Sequence, residues 1–135
     1  MVNISKSFYL KTPNSLKSIE LLAIDNLLLK KQYFLDTKMN PNKFTVIIKK
    51  NPVKILKILK QNNYDNFKDY LNSFRVYYLK DLIDKGFLNT FSIDIALKKS
   101  GFGHQTTSRT FKKYYNTIVK EYWQKVKSTY FFELK

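Results

Sequence analysis

The side chains with the clearest chemistry in this chain stand close together within residues 93–113. They are His104, Gln105, Thr106 and Arg109, which are compact polar groups followed by one guanidinium. Side chains of these types hydrogen-bond to base edges in a DNA groove, and guanidinium groups also bind phosphates. A plain solvated helix face is the alternative, but such faces usually pair Glu with Lys, and residues 93–113 contain no Glu. The pattern therefore favours contact with a nucleic acid.

The residues around this polar group predict a helix-turn-helix that would hold it. Ala96 is the small residue needed where a second helix crosses the first, and Gly101, five positions later, tolerates positive φ in the turn. A compact apolar cluster would pack around the turn, and its members would be Ile93, Leu97, Phe102 and Phe111. The polar group then points outward from the start of the second helix, where Lys112 and Lys113 follow it and would neutralise phosphates.

Charge supports a polyanionic partner. The 25 Lys and Arg residues outnumber the 10 Asp and Glu residues, which gives a net charge of +15 and attracts nucleic acids or anionic membrane surfaces. Residues 37–64 hold seven lysines and no acid, and residues 95–120 hold six basic residues and no acid. Residues 65–94 hold five of the ten acids. Two acid-free blocks predict two contact surfaces on one scaffold.

Composition argues against several other classes of protein. Because the chain has no Cys and one His, it offers no disulfide framework, thiolate zinc site or His-based metal cage. Scattered carboxylates and the lack of a Gly-rich loop give no catalytic constellation, so we predict no enzyme activity and no cofactor. The longest apolar run, near residues 27–29, is far shorter than the roughly 20 residues of a membrane span, and no signal pattern opens the chain. We therefore predict a cytoplasmic protein without a membrane partner.

Helical periodicity dominates and predicts an all-α fold of about seven helices. The predicted helices begin near residue 14 or 15, near Pro41, at Pro52, near Asn66, after Ser92, near His104 and near Ile118. Asn66 and Ser92 are predicted to cap the helices that follow them, and Gly86 is predicted to end the long helix from Asn66 in the left-handed conformation. The inward stripe of that helix is Phe67, Leu71, Phe74, Tyr78 and Leu82. The last helix is predicted to end near residue 127, and the apolar segments 1–12 and 130–134 stay unassigned.

The helix after Pro52 has two predicted faces. Its apolar residues Ile55, Ile58 and Leu59 are spaced i, i+3, i+4 and face inward. This spacing turns outward the polar residues Lys54, Lys57, Lys60 and Gln61.

Two stretches of the chain resemble the DNA-binding domain of AraC/XylS-type transcription regulators. In the second half the resemblance lies in Ile95-Ala96, Ser100-Gly101-Phe102 and Arg109-Thr-Phe111-Lys-Lys-Tyr-Tyr. In the first half it lies in Ile55 with Ile58-Leu59-Lys60, and in Asn66-Phe67 with Tyr70-Leu71 and Arg75. The resemblance covers about residues 16–127 and implies seven helices in two helix-turn-helix halves joined by one long helix.

The resemblance also implies which residues contact DNA. The family's base-contacting positions fall in the second unit on His104, Gln105, Thr106 and Arg109. In the first unit they fall on Val53, Leu56 and Lys57, with Lys54 and Lys60 near the phosphate backbone. Leu56 stands where these regulators usually have a polar residue that contacts a base edge. The first unit therefore either reads bases or acts mainly as a clamp on the phosphate backbone. The turn before Arg109 is one residue shorter than usual, and Thr107, Asn116 and Val119 replace a large apolar residue, a Gly and a Pro.

The predicted organisation is an N-terminal tail (1–13), a first helix-turn-helix subdomain (14–65), a linker helix (66–86), a second subdomain (87–128) and a C-terminal tail (129–135).

A linker of about 20 residues spans about 30 Å, close to the roughly 34 Å between successive major-groove segments. A monomer is therefore predicted to regulate transcription by placing both recognition helices in successive grooves of duplex DNA on the bacterial nucleoid. RNA polymerase or another regulator is a further candidate partner. The alternative is a non-specific DNA- or RNA-binding module.

Overall fold

The computed structural model describes residues 17–102 and 107–133, which form helices, turns and short links. Seven α-helices lie in these two ranges: α1 (Ile19–Lys31), α2 (Pro41–Ile48), α3 (Pro52–Gln61), α4 (Phe67–Asp84), α5 (Ile93–Lys99), α6 (Thr107–Tyr115) and α7 (Val119–Glu133). Short 3₁₀ turns follow α1 at Tyr33–Leu35 and α4 at Phe87–Asn89. The predicted all-α fold of about seven helices is confirmed. None of the helices described combines the length and apolar character needed to cross a membrane.

Local capping sets where most of the helices begin. Five of them start after a polar residue whose side-chain oxygen accepts the backbone N–H three residues further on. These capping residues are Ser18, Asn40, Asn51, Asn66 and Ser92. The sequence predicts the caps at Asn66 and Ser92, but it starts α1 too early. Residues 17 and 18 are not helical, because the Ser18 hydroxyl accepts the N–H of Leu21 at 3.2 Å and the helix begins at Ile19.

Contacts divide the chain between Phe74 and Arg75 into two compact units, and α4 contributes residues to both. The core of the first unit is built by α1, α2, α3 and the first part of α4. Its buried residues include Leu21, Ile24, Leu28, Phe34, Phe44, Ile55, Ile58, Leu59, Phe67 and Leu71. The Tyr70 ring lies edge-on to the rings of Tyr64 and Phe74, with 5.2 Å between centroids in each pair. Such pairs contribute about 0.5–1.5 kcal/mol each beyond the area that they bury.

A polar cluster is buried within this first unit. Asp25 is 1% exposed, and its carboxylate accepts hydrogen bonds from Lys17 Nζ at 2.5 Å and from the Tyr70 hydroxyl at 2.6 Å. Burial, followed by the negative charge of Asp25, raises the pKa of Tyr70 well above its ordinary value. The hydroxyl therefore keeps its proton and stays a donor. The cluster links α1, the residues before it and α4.

The second unit has its own core, which α4, α5, α6 and α7 share. Its buried members are Val76, Leu79, Ile83, Ala96, Phe102, Phe111 and Val119. Tyr122, Trp123 and Val126 of α7 are half-buried and pack against them. The Tyr122 hydroxyl donates to Asp84, which also pairs with Lys80 at 2.8 Å. The helix α7 continues to Glu133, past its predicted end, so residues 130–133 of the unassigned apolar segment are helical.

The helix α4 is buried more widely than its predicted stripe. All five predicted members, Phe67, Leu71, Phe74, Tyr78 and Leu82, are at most 8% exposed. Tyr70, Leu79 and Ile83 are buried as well. Gly86 follows the helix at φ 85°, which confirms the predicted left-handed terminator.

Candidate nucleic-acid interface

A short turn joins α2 and α3 in the first unit. Lys49 ends α2 in the left-handed conformation, with φ 57°. The Asn51 side chain accepts the N–H of Lys54 at 2.7 Å, so α3 begins directly at Pro52, whose missing N–H costs nothing at this position. Helices α2 and α3 are therefore consecutive helices joined by a short turn, and α3 packs against both α1 and α2.

The helix α3 has one buried and one exposed face. Ile55, Ile58 and Leu59 are at most 3% exposed and attach the helix to the core. Burying three such side chains contributes about 1.5–3 kcal/mol each, which fixes the rotation of the helix about its axis. The exposed side chains on the opposite side are Val53, Lys54, Leu56, Lys57, Lys60 and Gln61, which we call the α3 outer face. The faces predicted for α3 are confirmed.

The α3 outer face includes two large apolar side chains as well as its lysines. Val53 is 79% exposed and Leu56 is 39% exposed. Both residues are among the sequence-predicted contact residues of the first unit. The structure brings them together with all three lysines predicted for this unit, on one face of a helix ten residues long.

Two adjoining hollows of about 460 and 490 Å³ follow the α3 outer face. Val53, Lys57 and Gln61 line both hollows. Glu20, from the first turn of α1, lines the first hollow and is the carboxylate among its lining residues. Sequence reasoning did not connect Glu20 with this site, because its place depends on how α1 packs against α3.

The lysines of the α3 outer face form no ion pair with the carboxylates that the structure describes. Two carboxylates of the first unit are already paired elsewhere, Asp25 with Lys17 and Asp36 with Lys43, each at 2.5 Å. No ion pair involves Lys54, Lys57 or Lys60 within residues 17–102 and 107–133. The face therefore carries a positive potential that favours a polyanion.

In the second unit, a turn at Ser100 and Gly101 follows α5. The side chain of Ser92 caps α5, and Ser100 ends it, with its hydroxyl donating to the Ala96 carbonyl at 2.8 Å. Ala96 is fully buried, and Gly101 has φ 87°. Phe102 is 2% exposed beside them. The positive φ predicted for Gly101 is confirmed, and Ala96 is buried in the core of the second unit.

The helix α6 presents basic side chains while one aromatic ring holds it in place. Phe111 is fully buried and lies 5.5 Å from the Tyr122 ring, centroid to centroid. Arg109, Lys112 and Lys113 are exposed. The ammonium of Lys113 lies 5.9 Å from the centre of the neighbouring Tyr114 ring. The predicted contact residues His104, Gln105 and Thr106 lie outside the described residues.

Asn116 follows α6 at a position where AraC/XylS-type regulators usually have Gly. Asn116 has φ 58°, and its N–H donates to the Lys112 carbonyl at 2.8 Å. Asn is among the few residue types that adopt this conformation readily, so it can replace Gly here. Val119, in place of Pro, begins α7 and is buried in the second core.

Replacing Gly101 should show how far the second turn depends on positive φ. Because an added Cβ clashes in this conformation, Gly101→Ala is expected to lower the free energy of unfolding by about 1–2 kcal/mol. Gly101→Asn is the matched control and should lose less, since Asn hydrogen-bonds locally in the left-handed region. Urea unfolding followed by circular dichroism measures both. Equal losses for the two variants would contradict a specific role for backbone conformation.

Comparison with known proteins adds support for the fold alone. No protein-family profile and no curated protein matches this chain. A protein of unknown function from Listeria innocua has a similar structure, with a TM-score of 0.64 and 21% sequence identity. The match covers 79% of this chain and 97% of that chain. At this identity the likeness shows a common fold, and the resemblance to AraC/XylS-type regulators stays a prediction from the residues.

Proposed function

We propose that this chain is a sequence-specific regulator of transcription that binds duplex DNA through α3 and α6. The observation that carries the proposal is the exposed side of α3. Lys54, Lys57 and Lys60 lie there and form no ion pair with another described residue, whereas the opposite side of the helix is packed in the core. In helix-turn-helix proteins the second helix enters the major groove and its first residues contact base edges. Lysines along the same helix neutralise the flanking phosphates.

The second unit supports the same proposal. Arg109 lies on the exposed side of α6, where its guanidinium can bind a guanine edge or a phosphate. Lys112 and Lys113 follow it on the exposed surface of the same helix and would contact the backbone. The polar residues 104–106, directly before α6, complete the set of readers that the sequence predicts.

The resemblance to AraC/XylS-type regulators extends this proposal to two grooves. Helix α4 has 18 residues, which corresponds to a length of about 27 Å. In the arrangement that the resemblance implies, each unit would insert one helix into the major groove, and a monomer would be sufficient. Such a protein would act on the bacterial nucleoid and would contact RNA polymerase or another regulator there.

A second candidate function is non-specific binding to DNA or RNA, which the net charge of +15 favours. Binding to unpaired bases generally uses exposed aromatic rings for stacking. The aromatic residues spaced along α4 and α6 are buried, namely Phe67, Phe74, Tyr78 and Phe111. Phe91 is 46% exposed, but one side of its ring is stacked on Phe87. Burial of these rings supports a duplex rather than a single strand as the partner.

Selection from a pool of random duplexes tests the proposed function. The full chain should enrich a motif about two helical turns long, and fluorescence anisotropy should show tighter binding to this motif than to shuffled DNA at two salt concentrations. Equal, salt-sensitive binding to every duplex and single strand would replace the proposal with the non-specific candidate.

Two single substitutions in α6 distinguish contacts with base edges from contacts with the phosphate backbone. If Arg109 binds a base edge, Arg109→Ala should reduce the preference for the selected motif over shuffled DNA by about 5- to 150-fold. Lys112→Ala, the matched control on the same helix, should weaken binding to both DNAs similarly and lower the slope of log K against log salt by about 0.9. Equal losses on both DNAs for Arg109→Ala would remove this residue from the readers.

A further inference from the structure

Two large apolar side chains are exposed on the α3 outer face. Val53 and Leu56 are three residues apart, so they lie about one helical turn apart on the same side. Both line the second hollow, together with Lys57, Lys60 and Gln61. Single exposed apolar residues are ordinary. Here two of them lie among lysines that pair with no described carboxylate, on a surface suited to a polyanion.

Duplex DNA offers an apolar group that matches this surface. In the major groove the base edges present hydrogen-bond donors and acceptors, and thymine also presents its C5-methyl group. We propose that α3 selects thymine-containing sites by packing Val53 and Leu56 against thymine methyl groups. The lysines of the same face bind the phosphates on either side. This inference rests on the proposed function and makes the first unit a base reader as well as a phosphate clamp.

The spacing along α3 fits neighbouring base pairs. Val53 lies in the first turn of the helix, where recognition helices contact base edges. Leu56 is displaced from it by about 4.5 Å along the helix axis. Base pairs are separated by about 3.4 Å along a strand. The two side chains therefore match methyl groups on adjacent base pairs, or nearly so.

Charge favours DNA over a protein as the occupant of this surface. Lys54, Lys57 and Lys60 surround the two apolar side chains, and no carboxylate of the described residues pairs with them. A second copy of the chain also carries +15, so packing two such faces together would bring like charges into contact. Glu20 opposes the lysines, but it lines the first hollow and not the second.

Deoxyuridine provides the test, because it pairs like thymine and lacks the methyl group. Starting from the selected duplex, each thymine is replaced in turn by deoxyuridine, and binding of the full chain is measured by anisotropy. Two replacements at adjacent or nearly adjacent positions should each weaken binding about fourfold, the effect of one buried methyl. Val53→Ala should abolish the difference at one position and Leu56→Ala at the other.

Val46→Ala is the matched control, since Val46 on α2 is 78% exposed and lies outside the α3 outer face. It should leave both the affinity and the thymine preference unchanged. A selected motif whose binding is equal with thymine and deoxyuridine at every position would overturn the inference and leave the proposed function standing. The inference would also be overturned if the preference survived in both alanine variants. Failure to enrich any motif, or to bind DNA, would overturn the proposed function itself.

Discussion

Replacing Lys54, Lys57 and Lys60 together by alanine is expected to weaken binding to duplex DNA by on the order of 10²-fold at about 0.1 M salt. Each lysine that neutralises a phosphate releases a counterion and contributes about 0.9 to the slope of log K against log salt. Losing three such contacts should lower that slope by about 2.7. The measurement is anisotropy of a labelled duplex over a series of salt concentrations.

A second triple variant distinguishes phosphate contacts made by α3 from the effect of the net positive charge of the protein. Lys30, Lys31 and Lys38 are also exposed residues of the first unit, but they lie outside the α3 outer face. Their replacement by alanine removes the same three positive charges and should change the salt slope by much less. If the two triple variants lose affinity equally, DNA binding depends on the overall field of the protein and not on α3.

Much of the fold could be predicted because its determinants are local in sequence. The spacing of Ile55, Ile58 and Leu59 is enough to orient α3, and the caps at Asn66 and Ser92 act on backbone groups within three residues. The start of α1 was wrong for a related reason. Both Asn and Ser residues precede this helix, and local pattern does not show that Ser18 would be the one to cap it.

The candidate interface was predictable only in part. Helical spacing alone places Lys54, Lys57 and Lys60 outside, whereas Val53 and Leu56 were named through the family resemblance. Their exposure depends on which surfaces α1 and α2 leave uncovered, as does the place of Glu20 beside α3. Such facts arise from helix packing, which a single sequence does not specify.

The buried polar cluster lies still further beyond sequence reasoning. Asp25 is separated from Lys17 by eight residues and from Tyr70 by 45. In sequence, all three residue types are ordinary on a helix surface. Only folding of the first unit brings them together and removes them from water, so their effect on stability follows from the structure alone.

Removing the central carboxylate should strongly destabilise the first unit. Asp25→Ala is expected to lower the free energy of unfolding by about 3–5 kcal/mol, because it leaves the buried ammonium of Lys17 without its carboxylate. The Tyr70 hydroxyl loses its acceptor in the same variant. Thermal and urea unfolding monitored by circular dichroism measure the loss.

The double variant Lys17→Met/Asp25→Leu is the control for this prediction. It removes both charges and keeps apolar volume in their place, and replacing a buried ion pair in this way is often neutral or stabilising. The double variant should therefore be more stable than Asp25→Ala, although Tyr70 still lacks its acceptor. A loss below about 1 kcal/mol for Asp25→Ala, typical of exposed ion pairs, would contradict a buried and mutually dependent cluster.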